Sequence, residues 1–517
     1  MAGWADGYVV DIAYPRFFIR ETMPSWLTTV AMLLGQQWPD LSKPFRYANL
    51  GCGSGLTDIV VAATWPNAEV WGFDFNPTHI ANARRLAERA GLRNVTFVET
   101  SFADVARRPQ AELPEFEFVV AHGILSWISE SNRECIFELI RQRLRTGGLA
   151  YLGYNVAAGW SSLQPVRELM QLIGLADKKR SDLAIGGILE AIDGLREAGA
   201  RYFDLHPTVQ ERLTYLRQAD PRYLAHELLT EDWHPLTFAD VARDMSEAKC
   251  SFVGSATLTD NIDVVSVPPK VVPLLEAAKD LRLKETLRDI GCAQSFRRDI
   301  FCRGPVELSA AEQSGYAESL AIVSIGAPIK EGVTFKTPLG EVVGPAEVYD
   351  PLLKLLEQGA LSVREAQGVG NPPGRPLVET VQAFIMLVAG GYAAPLPMGG
   401  TISASRSACR RLNVAIVEAN ANGGDIAWLA SPVTAAAIPS DWTETQIVRA
   451  LLSPQTADAE NISREVLHTL NRVGRTVQHE GQTVTDPDEA LRIVTEAVKE
   501  TLETRAPILA RLGVIDG

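Results

Sequence analysis

The stretch YANLGCGSGLTDIV, Tyr47 to Val60, places three glycines within five positions, between an apolar run and a stretch with apolar residues at helical spacing. A strand that turns directly into a helix through glycines lets a ligand approach the backbone, and the first turn of the helix offers it unpaired N–H groups. The spacing narrows the ligand. A pyrophosphate fingerprint needs GxGxxG, whereas Gly51, Gly53 and Gly55 make GxGxG, which suits a cofactor carrying an amino-acid portion instead of a diphosphate. The next strand-like run ends in VWGFDFNP. It puts Asp74 nineteen residues after Gly55, where a carboxylate can accept hydrogen bonds from both ribose hydroxyls.

Outward from this pair, the first 155 residues alternate two patterns. RYANL (46–50), EVWGF (69–73), NVTFV (94–98), FEFVVA (116–121) and LAYLGY (149–154) read as short buried strands. LTDIVVAATW, PTHIANARRLAERAG and RECIFELIRQRLRTGG read as helices, the second opening on Pro77 and stopping at Gly91. Such alternation predicts an α/β fold with a doubly wound, Rossmann-like sheet. From Val166 to Ala248 the pattern turns almost wholly helical, and strand character returns in CSFVGSATL (250–258) and SFRRDIFCRG (295–304). The expected division is a cofactor-binding core over 1–165, a helical insertion over 166–248, late strands completing the core over 249–305, and a mainly helical C-terminal domain over 306–517. In that last part Pro/Gly clusters such as GVGNPPGRP (368–376) mark loops.

Composition excludes several classes. Hydrophobic residues make up 46% of the 517 and charged ones 22%, as in globular enzymes. A formal net charge of −14, without a Lys/Arg stripe, argues against nucleic acid as a partner. The six cysteines show no CxxC spacing, so neither a zinc site nor a disulfide framework is expected, and a reducing cytoplasm fits. No segment has the length of apolar run that membrane insertion needs, and the first residues lack a signal-peptide pattern.

The chain resembles the class I S-adenosylmethionine-dependent methyltransferases. NLGCGSG is similar to their first motif, GFDFNP to the ribose-binding acid, NVTFVETSFAD to the adenine-side loop, and FEFVVAHGILSWIS to the fourth strand with its loop. The resemblance implies S-adenosyl-L-methionine as cofactor, held by Asn49, Gly51, Cys52, Gly53, Ser54, Gly55, Asp74, Phe75, Ser101, Phe102 and His122. Asn49 stands where many members have Asp or Glu, and Ser101 where many have Asp. AYPRFFIRETMPSWL, AHGILSWIS, YNVAAGW and YLAHELLTEDWHPLTFADVARDMSEAKCSFVGSA narrow the likeness to bacterial methyltransferases with a methyltransferase regulatory domain, a group that includes rickettsial protein-lysine methyltransferases.

Transfer from a sulfonium is an in-line displacement with a neutral leaving group, so the enzyme mainly positions an unprotonated nucleophile and excludes water. Tyr14, Trp127, Tyr154 and Trp160 flank the cofactor motifs and are expected at the carboxyl ends of the strands, where aromatic faces attract a sulfonium or an ammonium. His122 is a candidate general base, and Asn155 and Glu21 are candidate partners for an amine or for the cofactor's carboxylate. His226 and His234 read as packing or interface groups, and no metal is expected. The fourth strand is not followed by [DN]PP[YF], which argues against nucleobase and glutamine targets. Three functions remain: a methyltransferase acting on protein lysines, one acting on a small molecule, or a cofactor-binding regulator without catalysis. A homodimer is left open.

Overall fold

The computed structural model describes residues 3–177, 179–326, 329, 332–369, 374–399, 402–453, 458–479 and 482–516. Four residues of the Pro/Gly cluster at 368–376, namely 370–373, lie outside them. Five parallel strands, β1 (Phe45–Leu50), β2 (Ala68–Asp74), β3 (Val95–Glu99), β4 (Phe116–His122) and β5 (Leu144–Asn155), are joined through helices. Two later strands, β6 (Cys250–Ser255) and β7 (Phe296–Arg303), extend the sheet to seven in the order β3-β2-β1-β4-β5-β7-β6. β7 runs antiparallel to both β5 and β6. A βαβ crossover keeps neighbours parallel, whereas β7 enters from the opposite end after a helical excursion and so lies antiparallel.

The inner strands are apolar on both faces because helices cover both. Tyr47, Phe118, Val120, Leu149 and Tyr151 belong to one core, and Ala48, Leu50, Val119, Leu152 and Tyr154 to the other. The helix Pro77–Arg89 starts where proline fixes φ, and Asn76 caps it by accepting from Thr78 N at 2.9 Å.

Helices Gln164–Ala176, Ser181–Glu197, Pro207–Leu216 and Pro221–Leu229 share a small core of their own, into which Val9 and Ile12 of the N-terminal segment also pack. The region after residue 305 is mainly helical, with short strand pairs such as Trp428–Ser431 with Ala436–Pro439. It does not stand apart. The helix Ile402–Ala421 lies against the helix Leu56–Thr64, Arg411 Nε donates to Ala90 O at 3.1 Å, and the side chains of both regions form one continuous core.

Candidate active site

The glycine turn is held closed by its own backbone. Gly51 N and Cys52 N both donate to Phe73 O, at 2.8 and 2.9 Å, tying the end of β1 to the end of β2. Gly51, Gly53 and Gly55 all have positive φ (75°, 55° and 68°), a region open to glycine at little cost. Their surroundings differ. A Cβ on Gly51 would meet Ile124 Cδ1 at 2.3 Å and one on Gly55 would meet Phe97, while one on Gly53 would meet nothing within 4 Å. The space above Gly53 is therefore where a ligand can reach the backbone.

Asp74 closes this turn at the end of β2. Its Oδ2 accepts from Gly53 N at 2.9 Å, and its Oδ1 accepts from Asn76 N at 2.8 Å and lies 3.3 Å from His79 Nδ1. Tyr14 N donates to His79 Nε2 at 3.2 Å, so that nitrogen carries no proton and Nδ1–H is the one facing Asp74. His79 thus ties the N-terminal segment to the acid. Sequence reasoning passed over it; the available signal was a histidine in the first turn of the helix that follows the acid.

Above Asp74 the N-terminal segment and the helix Pro221–Leu229 form a roof of rings. Tyr8 packs edge-on to Phe75 (centroids 5.7 Å apart) and 5.2 Å from His226, while Tyr14 packs 5.1 Å from His226 and 6.2 Å from Tyr223. His226 therefore packs in the roof, where burial and then the neighbouring His79 push it down to about 4, while His234 is exposed. Glu227, beside Tyr223 in this roof, is pushed up to about 8 by burial, which the nearby Arg167 only partly opposes.

At the other end of the cleft, His122 ends β4 with Nδ1 2.7 Å from the Tyr151 hydroxyl. Burial and the Arg298 cation push His122 down to about 3, and burial raises the Tyr151 phenol well above its usual range. The pair is therefore uncharged at neutral pH, and His122 is a weak base. Glu21, across from Tyr151, adds to the rise in the phenol's pKa. Asn155 lies on the same strand face as Tyr151 and is buried, its backbone N–H donating to Ser126 Oγ at 2.9 Å and its side-chain Nδ2 having no partner among the described residues.

The other expected residues are distributed unevenly. Asn49 donates through Nδ2 to Asp58 Oδ2 at 3.0 Å inside the protein, linking β1 to the helix behind it. Cys52 is half-buried with its thiol raised by burial, and Ser54 is buried in the turn. Ser101 caps the short helix Phe102–Ala106 by accepting from Asp104 N at 3.1 Å, and Phe102 is half-buried at its start. Trp127 and Trp160 sit on either side of Trp233, at 6.2 and 5.6 Å, and Trp160 Nε1 donates to Ser295 O at 2.8 Å.

Tyr154 is not brought to the cleft. Strand alternation turns it to the opposite face of β5 from Tyr151, where it is fully buried and donates to Asp299 Oδ2 at 2.5 Å. There Arg297 binds Asp299, Asp289 and Glu285 together, at 2.9, 2.7 and 2.9 Å, so Tyr154 completes a structural ion cluster.

These residues fit an adenosyl cofactor with an amino-acid portion. The open space at Gly53 admits it to the backbone, Asp74 Oδ2 keeps a free lone pair, Phe75 offers a ring, and the unpartnered Asn155 amide offers a donor.

Known proteins share the family and the fold. Residues 48–148 match the family described as "Methyltransferase domain", and residues 220–303 the family described as "Predicted methyltransferase regulatory domain". The chain is 32% identical to a protein of Synechocystis sp. across 99% of both. A trans-aconitate 2-methyltransferase of Streptomyces coelicolor is 28% identical over 158 residues, 30% of this chain and 48% of that one. PKMT2 from Rickettsia typhi, solved in complex with AdoHcy, shares the fold with a TM-score of 0.71 at 19% identity, covering 97% of this chain and 99% of that one.

Proposed function

The chain belongs to the class I S-adenosylmethionine-dependent methyltransferases that carry a methyltransferase regulatory domain, and from that membership we propose that it N-methylates lysine side chains of a protein. The observation that carries the amine reading is the pair of acidic side chains bordering the cleft, Glu21 and the buried Glu227. Glu21 acts on Tyr151 from one side, and Glu227 acts on Tyr8 and Tyr14 from the other. Acids beside a desolvated cleft favour a cationic acceptor. They oppose transfer to a carboxylate acceptor, the kind of substrate named for the Streptomyces relative.

When bound, S-adenosylmethionine would supply an electrophilic sulfonium methyl to an unprotonated amine. The protein's own groups do the rest. Asp74, itself oriented by Gly53 N–H and His79, would hold the ribose side, and the roof of Tyr8, Tyr14 and Tyr223 excludes water. The uncharged His122–Tyr151 pair gives the acceptor side a polar wall without a competing charge, so Glu21 is the charged group that attracts and orients an ammonium, while Glu227, which burial keeps protonated up to about 8, offers it a neutral hydrogen-bond partner. A protein acceptor is further supported by the extent of chain beyond the sheet and by the resemblance of the cleft motifs to the rickettsial protein-lysine methyltransferases. Radiolabelled methyl transfer into a lysate, fractionated into macromolecules and small molecules, tests the reading. Label in protein hydrolysates as methyl-lysine supports it; label confined to small molecules replaces it with the metabolite reading.

A further inference from the structure

A cavity of about 370 Å³ is walled by the N-terminal segment from Phe18 to Trp26, by Ile325, by the stretch from Ala389 to Pro395, and by the hairpin from Trp428 to Pro439, all remote from one another in sequence. Its volume lies in the range of small-ligand pockets, roughly 300–1,000 Å³. Most of the wall is ring and alkyl surface. Phe18 and Trp428 meet with centroids 5.2 Å apart, and Trp26 carries the Arg20 guanidinium 4.3 Å over its ring.

Four polar side chains interrupt this surface, Arg20, Glu21, Ser25 and Thr434, and two of them are short of partners. Thr434 is 2% exposed and its Oγ1 has no hydrogen-bond partner, an expensive state for a buried hydroxyl unless a ligand completes it. Among the described residues Glu21 has only a long contact, 3.4 Å, to Arg20, whose guanidinium is also engaged with Val388 O. Glu21 belongs to two places at once: it lines the cavity, and its charge reaches Tyr151, whose hydroxyl holds His122 at the end of β4. The same wall segment is tied to the cofactor turn by geometry, since Ile19 N donates to Thr57 Oγ1 at 3.1 Å in the first turn of the helix that follows Gly55, so the cavity adjoins the cleft.

We infer that this cavity is the acceptor pocket, taking an alkyl primary ammonium whose methylene chain packs on the rings, whose nitrogen meets Glu21, and whose remote polar group meets Thr434. The inference rests on the amine reading above. It also gives the C-terminal region a part in the site, since Trp428 and Thr434 come from it. A lysyl residue carries an amide to reach Thr434, whereas a free alkylamine does not.

The test uses the full-length protein saturated with S-adenosylhomocysteine and ligand-observed NMR titration of Nα-acetyl-lysine methylamide, with n-butylammonium as the second probe. Ala436→Phe fills the cavity, Glu21→Gln removes its charge and Thr434→Val removes its hydroxyl. The expected result is binding of the lysyl probe that falls at least tenfold in Ala436→Phe and in Glu21→Gln, with S-adenosylhomocysteine affinity and melting temperature kept. Loss in Thr434→Val for the lysyl probe alone identifies a lysyl residue as the source; equal binding of both probes in that variant identifies a free amine. Absence of binding to the wild type, or wild-type affinity in both Ala436→Phe and Glu21→Gln, overturns the pocket. Methyl-amine product in the lysate assay with an unchanged acceptor KM in Ala436→Phe overturns the pocket while leaving the amine reading intact.

Discussion

Replacing Asp74 by alanine should weaken cofactor binding by a calculable amount. A carboxylate has about four lone-pair sites. Oδ1 uses its two on Asn76 N and His79 Nδ1, and Oδ2 uses one on Gly53 N, so one remains for a ribose hydroxyl. This trims the sequence-based expectation that the acid serves both hydroxyls. A hydrogen bond to a charged acceptor contributes about 1.5–3 kcal/mol, so affinity for S-adenosylhomocysteine should fall about ten- to hundredfold. Asp74→Asn should fall at least as far, because its amide NH₂ must face a donor N–H on one side, Gly53 or Asn76. Calorimetry on the folded variants measures the change, and thermal melting of the ligand-free forms should show a lower transition for both, since three donors lose an anionic acceptor. Unchanged affinity in a folded Asp74→Ala protein refutes the assignment of this acid to the cofactor.

Gly53→Ala should keep the fold at a strain of about 1–2 kcal/mol and lose cofactor affinity, whereas Gly51→Ala should be destabilised outright by its clash with Ile124; melting and calorimetry separate the two. Asp58 is fully buried and held up at about 8 chiefly by burial, so the native state keeps a proton that the unfolded chain releases; stability on its account falls as pH rises between about 4 and 8. Asp58→Asn should flatten the denaturation-midpoint profile in that window by up to about 1.4 kcal/mol per pH unit, and an unaltered slope refutes the burial argument. Arg297→Met leaves Asp299, Asp289 and Glu285 without their shared cation and should cost about 3–5 kcal/mol at neutral pH. Denaturation at pH 5 should show a smaller loss, because protonation relieves the stranded acids.

The sequence carried the sheet and the cofactor turn because both are local: GxGxG and the acid nineteen residues on lie within one βα unit and the strand that follows it, the acid at that strand's end. Side-chain direction on β5 was not legible. Tyr151 and Tyr154 are three apart and so face opposite sides, and only the register against β4 and β7 tells which side meets the cleft. Asn49 reads as a cofactor contact by its place at the end of β1, yet its partner is Asp58, nine positions on, whose burial no composition pattern reveals. The roof was missed for a different reason. Tyr8 comes from a segment more than 200 residues before Tyr223 and Glu227, and the apolar side of the helix Pro221–Leu229, Leu224, Leu228 and Leu229, announces the helix without telling that its half-buried tyrosine and glutamate meet the N-terminal segment.

The contact between the helix Ile402–Ala421 and the helix Leu56–Thr64 also sets the order in which the newborn chain can hide its apolar surface. The first sheet strands leave the ribosome with one flank waiting for a cover that lies more than 300 residues downstream. At translation rates of 5–20 residues per second that wait lasts roughly 15–70 s, far longer than hydrophobic collapse. During it Ile59, Val60 and Ala63 present a sticky face to any neighbouring nascent chain. Recovery of active protein should therefore depend on holdase chaperones during synthesis more than on the stability of the finished fold.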